Sequence, residues 1–201
     1  MKQIVLYGAG GHCYAVVELI KSLGEYNPVE IWDDKPDTSS IIGVPVLKAI
    51  EGKTPEFMCI TIGDNDIRKE IAGKYSVNYP TFIHRSAVLY PSVSVGRGTV
   101  VHPLAVLDAD AKIGEHCIIN NHATISHNVI IGDYSHIAIQ ASVAGGVEIG
   151  EGALVGAGSI ILPNIRIGKW ATIGAGAVIT KDVPDNTTVI GNPGKIKLRQ
   201  E

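Results

Sequence analysis

From Ile83 to Ile179 every sixth residue is Ile, Leu or Val, in seventeen consecutive positions: Ile83, Leu89, Val95, Val101, Leu107, Ile113, Ile119, Ile125, Ile131, Ile137, Val143, Ile149, Val155, Ile161, Ile167, Ile173 and Ile179. Two residues before each stands a mostly small side chain, such as Ala87, Ala105, Ala123, Ser135 or Ala153. Glycine recurs every eighteen residues, just after a branched residue, at Gly96, Gly114, Gly132, Gly150 and Gly168. A period of six nested in a period of eighteen predicts three short strands per coil of a solenoid.

If the branched residue and the one two before it point inward, the residue between them points outward. Sorted by eighteen, the outward positions form three faces. The first reads Val88, Val106, Thr124, Ser142, Ile160, Val178, and the second Ser94, Lys112, Ile130, Glu148, Arg166. The third reads Val100, Ile118, His136, Leu154, Thr172. The second is largely charged and suits solvent. The first and third carry apolar stripes too extensive to leave wet. Two different adhesive faces predict a heterologous contact that closes into a ring, and for a three-sided prism the expected closure is a homotrimer.

Residues 1–80 lack the hexad. Strands are expected at Ile4–Tyr7, Val29–Trp32 and Phe57–Ile62. Helices are expected after Gly11, ending at Gly24, and over Asp64–Tyr75 with a cap at Asp64 or Asn65. Alternating strands and helices predict a small parallel α/β unit, Rossmann-like, over 1–80, ahead of a solenoid over 81–201. The turn after the first strand is rich in glycine: Gly8, Gly10, Gly11, then His12. Such a turn lets a phosphate approach backbone N–H groups at a helix N-terminus. The third glycine of a dinucleotide fingerprint would fall at Cys13, and the unit is about half a full dinucleotide fold, so one nucleotide is expected rather than NAD. Asp33 and Asp34 stand where an acid that binds ribose would fall, and Gly63 closes the third strand.

Composition narrows the class. The 201 residues are 45% hydrophobic and 5% aromatic with 23 glycines, which suits tight coils filled by aliphatic side chains. A net charge of −3 gives no reason to expect nucleic acid as a partner. Three scattered cysteines argue against a disulfide framework and for a reducing compartment. The N-terminus shows no secretory h-region, and no apolar run approaches the length of a membrane span, so a cytoplasmic protein is expected.

Within the solenoid, the coil 119–136 (INNHATISHNVIIGDYSH) interrupts a bland pattern with Asn120, Asn121, His122, His127 and His136. His136 falls on the third face and His127 in the corner after the first. The two histidines are expected to meet across a subunit boundary. His84, His102 and His116 are assigned structural roles, and Cys117, at an inward position, is read as a buried inert thiol.

The hexad array, with GAGGH in front and NNHATISHNVIIGDYSHIA inside, resembles the left-handed β-helix sugar acyltransferases grouped with the sialic-acid O-acetyltransferase-like proteins. It is most similar to the UDP-4-amino-sugar N-acetyltransferases of bacillosamine-type pathways. The resemblance covers both domains in order and implies left-handed coiling. It implies acetyl-CoA as co-substrate, a nucleotide-linked amino sugar as acceptor and no metal. His127 would be the general base, Asn120 would position the site, and His136 would lie beside the acetyl group. Gly8, Gly10, Gly11, His12, Asp33, Asp34, Lys35 and Gly63 correspond to the nucleotide-sugar pocket. His136, Gly145, Ala157, Ala175 and Lys181 correspond to the acetyl-CoA groove. The residue after the catalytic histidine is usually acidic in that family, whereas here it is Asn128, an amide that can orient an imidazole but cannot neutralise its protonated form. Three other readings compete. One is transfer to a sugar hydroxyl, and another is a scaffold that binds nucleotide sugars without catalysis. The last is a zinc enzyme of carbonic-anhydrase type, for which His122 and His127 have two-ligand spacing but the third position is Ser86.

Overall fold

The computed structural model describes residues 1–49 and 52–197. It begins with β1 (Lys2–Tyr7), α1 (Gly11–Leu23), β2 (Tyr26–Asp33), β3 (Ser40–Ile41), β4 (Val44–Lys48), β5 (Met58–Ile60) and α2 (Asn65–Lys74). The five strands form one sheet in the order β3-β4-β2-β1-β5, parallel except for β3 against β4. Strand alternation splits β1 between two cores. Ile4 and Leu6 pack with Val16, Val17 and Ile20 of α1, whereas Val5 and Tyr7 pack with Trp32, Ile71 and Tyr75 on the α2 side. Gly24 ends α1 in a left-handed conformation (φ 75°), where a glycine is the least strained residue. The Asp64 side chain caps α2, accepting a hydrogen bond from the Ile67 N–H at 3.0 Å. The β3–β4 hairpin was not expected from the sequence, because a two-residue strand is too short to display a period.

Seventeen two-residue strands follow, from β6 (Phe82–Ile83) to β22 (Val178–Ile179), and β23 (Thr188–Ile190) and β24 (Lys195–Ile196) close the chain. The strands stack in register into three parallel sheets. The pairings Val88–Val106–Thr124–Ser142–Ile160–Val178 make the first face. Val100–Ile118–His136–Leu154–Thr172 make the third. The interior is the stack of branched and small residues from Val101 to Val189. The result is a left-handed parallel β-helix behind a small α/β domain. Every sixth residue from Gly98 to Gly176 turns a corner with positive φ, and nine of these corners carry side chains, among them Asp110, His116, His122, Asn128 and Trp170. The eighteen-residue glycines answer a different demand. A Cβ on Gly132 would lie 2.6 Å from the Glu151 nitrogen of the next coil, so the stacking distance excludes any side chain there.

The third face differs from expectation. It is covered by the chain's own N-terminal domain and is not an open adhesive surface. Val100 and Ile118 are each 1% exposed, and Val100 joins the core that contains Phe82 and Leu19. Arg68 of α2 fastens the two parts together. Its Nε donates to the His116 carbonyl (2.8 Å) and its guanidinium also donates to the Tyr134 carbonyl (2.6 Å), to Asn65 Oδ1 (2.7 Å) and to the Ile62 carbonyl (2.9 Å). Asn65 Nδ2 donates to the Gly152 carbonyl at 2.9 Å. The first face remains uncovered, with Val88 and Ile160 both exposed.

Candidate active site

The N-terminal cleft has a volume of about 500 Å³ and is lined by Tyr7, Gly8, Gly10, Gly11, His12, Asp33, Asp34, Thr61, Ile62, Gly63, Ile67 and Ile71. Asp33 shapes its loop, since Oδ2 accepts from the Ala9 N–H and Oδ1 from the Lys35 N–H, each at 2.8 Å. Asp34 accepts from the Tyr7 hydroxyl at 2.7 Å. No side chain caps the N-terminus of α1, whose N-cap is Gly10. Gly8 has φ 108° and packs against Ile62, so its backbone demands glycine. Gly10 and Gly11 differ, because a Cβ on either would meet nothing within 4 Å. Their missing side chains leave open space in front of unoccupied helix N–H groups, a setting suited to an anion. Lys35 does not line the cleft; it contributes its backbone N–H to the Asp33 clamp.

The same cleft reaches the solenoid. Gly63, in its wall, presents its backbone to the His136 imidazole and favours the ring's protonated form. Asn120 Nδ2 lies 3.4 Å from His136 Nε2 on the other side. Burial, then the nearby Arg68 guanidinium, depress the His136 pKa to about 4, with the Gly63 backbone opposing. His12 packs 5.2 Å from the His102 ring, and its pKa is lowered to about 3 by burial first and then by His102, His136 and Arg68. At neutral pH these imidazoles are therefore uncharged donors and acceptors. Cys117 is buried with its pKa pushed up to about 12, chiefly by burial, as suits an inert thiol.

His127 lies elsewhere, on the exposed edge between the first and second faces. Its Nδ1 is 3.0 Å from Asn128 Oδ1, and Asn128 Nδ2 donates to Asp110 Oδ2 at 3.1 Å. Gly145 stands one coil above, and a Cβ there would lie 2.6 Å from His127 Cε1 and 2.7 Å from Nε2. The ladder uses the neighbouring N–H groups, from Ala144 to the Ile161 carbonyl and from Gly146 to the His127 carbonyl. Among the described residues the Gly145 N–H has no ladder partner. The stacking register carries the same edge through Pro163 toward Lys181. Ala157 and Ala175 stack one above the other on a different corner, after the third face. Among the described residues no hydrogen bond joins the His127 edge to the Asn120–His136 pair, so the two clusters are separate on one chain.

The PglD N-terminal domain model matches residues 3–75, and the GMPPB C-terminal domain model matches residues 101–197. A histidine-to-asparagine mutant of perosamine N-acetyltransferase from Caulobacter crescentus, in complex with CoA and GDP-perosamine, has a TM-score of 0.92 and 33% identity. That match covers 99% of this chain and 98% of the other. The chain belongs to the bacillosamine-type sugar acetyltransferase family. The acetyltransferase domain of PglB from Neisseria gonorrhoeae in complex with acetyl coenzyme A, another relative of this sugar acetyltransferase, also has a TM-score of 0.92 and 33% identity, covering 98% of this chain and 99% of that one. A curated relative, UDP-N-acetylbacillosamine N-acetyltransferase of Bacillus subtilis, is 35% identical over 108 residues, which is 49% of this chain. The match spans about half the length of that relative (50%).

Sequence reading missed two residues that hold these clusters in place. Arg68 gave no signal, because an arginine on an amphipathic helix reads as solvated. Asp110 did carry one, since it lies eighteen residues before Asn128 and so directly beneath it.

Proposed function

We propose that this protein transfers an acetyl group from acetyl-CoA to the 4-amino group of a nucleotide-linked sugar. The observation that supports the proposal is that the glycine-loop cleft abuts the solenoid, with His12 of its lining packed 5.2 Å from the His102 ring and its Gly63 wall beside His136, which stands 3.4 Å from Asn120. A nucleotide held at the α1 N-terminus by residues 1–80 would direct its sugar into that junction. The relatives act on, or were captured with, amino-sugar nucleotides and CoA, which supports nitrogen rather than oxygen as the acceptor.

In this reading His127 takes the proton from the attacking amine. An imidazole is suited to that task near neutral pH, and a positioned base contributes roughly 10²–10⁴-fold. The free Gly145 N–H would stabilise the tetrahedral oxyanion that forms from the thioester carbonyl. Collapse of that intermediate expels the CoA thiolate, which receives the proton, and no acyl-enzyme is needed. Acetyl-CoA would lie along the edge from Gly145 toward Lys181. Two half-sites on one chain call for a second copy to unite them. The uncovered first face, with Val88, Val106, Ile160 and Val178, supplies an apolar surface on which His127 of one copy approaches the Asn120–His136 junction of the next. A homotrimer is the closure we propose. A cytoplasmic location would provide both substrates; among the described residues no helix is long and apolar enough to cross a membrane.

The test is thiol release from acetyl-CoA against a panel of UDP-, GDP- and dTDP-linked 4-amino sugars. The expected product is 4-acetamido sugar nucleotide, and absence of turnover with every amino sugar would overturn the assignment.

A further inference from the structure

Asn128 leaves the histidine edge without an adjacent carboxylate, yet a carboxylate is present one coil away. In the corner column Ser92, Asp110, Asn128, Gly146, Asn164 the acid Asp110 stands directly beneath the amide that holds His127. We infer that Asp110 is a positioning residue that acts through the Asn128 amide, so that Asp110, Asn128 and His127 form one relay. The inference rests on the reading of His127 as the general base.

The geometry dictates the direction of every hydrogen bond. An ionised carboxylate only accepts, so the Asn128 atom 3.1 Å from Asp110 Oδ2 must be the NH₂ group. The amide oxygen then faces His127, 3.0 Å from Nδ1, and an oxygen there requires Nδ1 to carry the proton. Nε2 is left with its lone pair, at the edge of the ring beside the vacant Cβ position of Gly145. Without the carboxylate the amide can flip, and a flipped amide would offer N–H to Nδ1 and select the wrong tautomer. Hydrogen bonds in series also polarise one another, so the Asp110 charge makes the Asn128 oxygen a stronger acceptor. Asp110 is itself held in place. Its N–H donates to Ser92 Oγ at 2.9 Å, and Lys112 Nζ stands 3.8 Å from its other oxygen.

The experiment compares the full-length wild type with D110N, the exchanged pair D110N/N128D, and H127A, with circular dichroism confirming each fold. Asp110→Asn should lower kcat about tenfold with both KM values unchanged, within the range of couplings inside one hydrogen-bond network. Nitrogen NMR of the ligand-free protein should show His127 protonated at Nδ1 in the wild type and a mixture of tautomers in D110N. The exchanged pair puts the carboxylate beside the imidazole and the amide beneath, and should restore kcat and the single tautomer. A D110N protein with wild-type turnover and one tautomer would overturn the relay, as would a loss that the exchange fails to restore. Full activity in H127A would remove the base assignment instead, and the tautomer measurement would still decide the relay.

Discussion

Replacing Gly145 with alanine places a methyl group where the His127 imidazole now lies. The added Cβ would be 2.6 Å from Cε1, 2.7 Å from Nε2 and 3.2 Å from Nδ1. Carbon contacts settle near 3.5–4.0 Å, so the ring must retreat by about 1 Å or rotate away. Gly145 is not among the left-handed corners, so alanine adds no backbone strain. His127 is an exposed side chain with room to move, and the cost in stability should stay within about 0.5 kcal/mol. Catalysis should respond differently, because a misplacement of roughly 1 Å can lower a rate by about 10²-fold. The assay is kcat with saturating acetyl-CoA and sugar nucleotide, alongside a thermal melt. A Gly145→Ala protein with an unchanged melt and a kcat near 1% of wild type fits the account. In the double variant with His127→Ala the losses should not add, since both act through one imidazole. Wild-type kcat in Gly145→Ala would refute the placement of His127 against this glycine as the working geometry.

His127→Ala itself should reduce kcat by roughly 10²–10⁴-fold, read by thiol release. Gly11→Ala should leave the melting temperature unchanged, because its Cβ meets nothing, while raising the KM for the sugar nucleotide; an unchanged KM would remove the helix N-terminus from binding. Arg68→Gln should destabilise the fold by about 3 kcal/mol in urea unfolding, since the His116 and Tyr134 carbonyls lose buried charged donors. His102 and His116 are buried, and burial chiefly lowers each pKa to about 4, against 6.5 when unfolded. Between those values the unfolded chain binds the extra protons, so stability is full above about pH 6.5 and falls as pH drops toward 4. Each site contributes on the order of 3 kcal/mol over that window. Melts from pH 7 to 4 should become shallower in His116→Phe, and an equal slope would contradict the assignment.

The sequence shows most readily what repeats. The hexad set the strand positions, and eighteen-residue sorting reproduced the observed faces residue for residue, because identical coils stack in register. The left-handed corners were equally periodic but hidden, since Leu104, Tyr134 and Trp170 turn corners that glycine or asparagine would mark openly. Docking between the two domains has no period at all. An apolar third face therefore looked like a subunit contact, whereas α1 and Arg68 cover it from within the chain. The candidate site was legible in its residue types and in the separation of its two histidines, which sorting by eighteen places on different parts of the coil; the N-terminal cleft beside His136 was not, because it depends on how the domains dock. Asn120 and His136 sit under the N-terminal cleft, and His127 stands on another edge.

That division makes subunit complementation the most direct test of an acetyltransferase site shared between copies. His127→Ala and His136→Ala proteins, each inactive alone, would be unfolded together at equal concentration and refolded. If each site takes His127 from one copy and His136 from the next, random assembly restores roughly a quarter of wild-type thiol release. No recovery in mixed assemblies of confirmed composition would contradict the shared site.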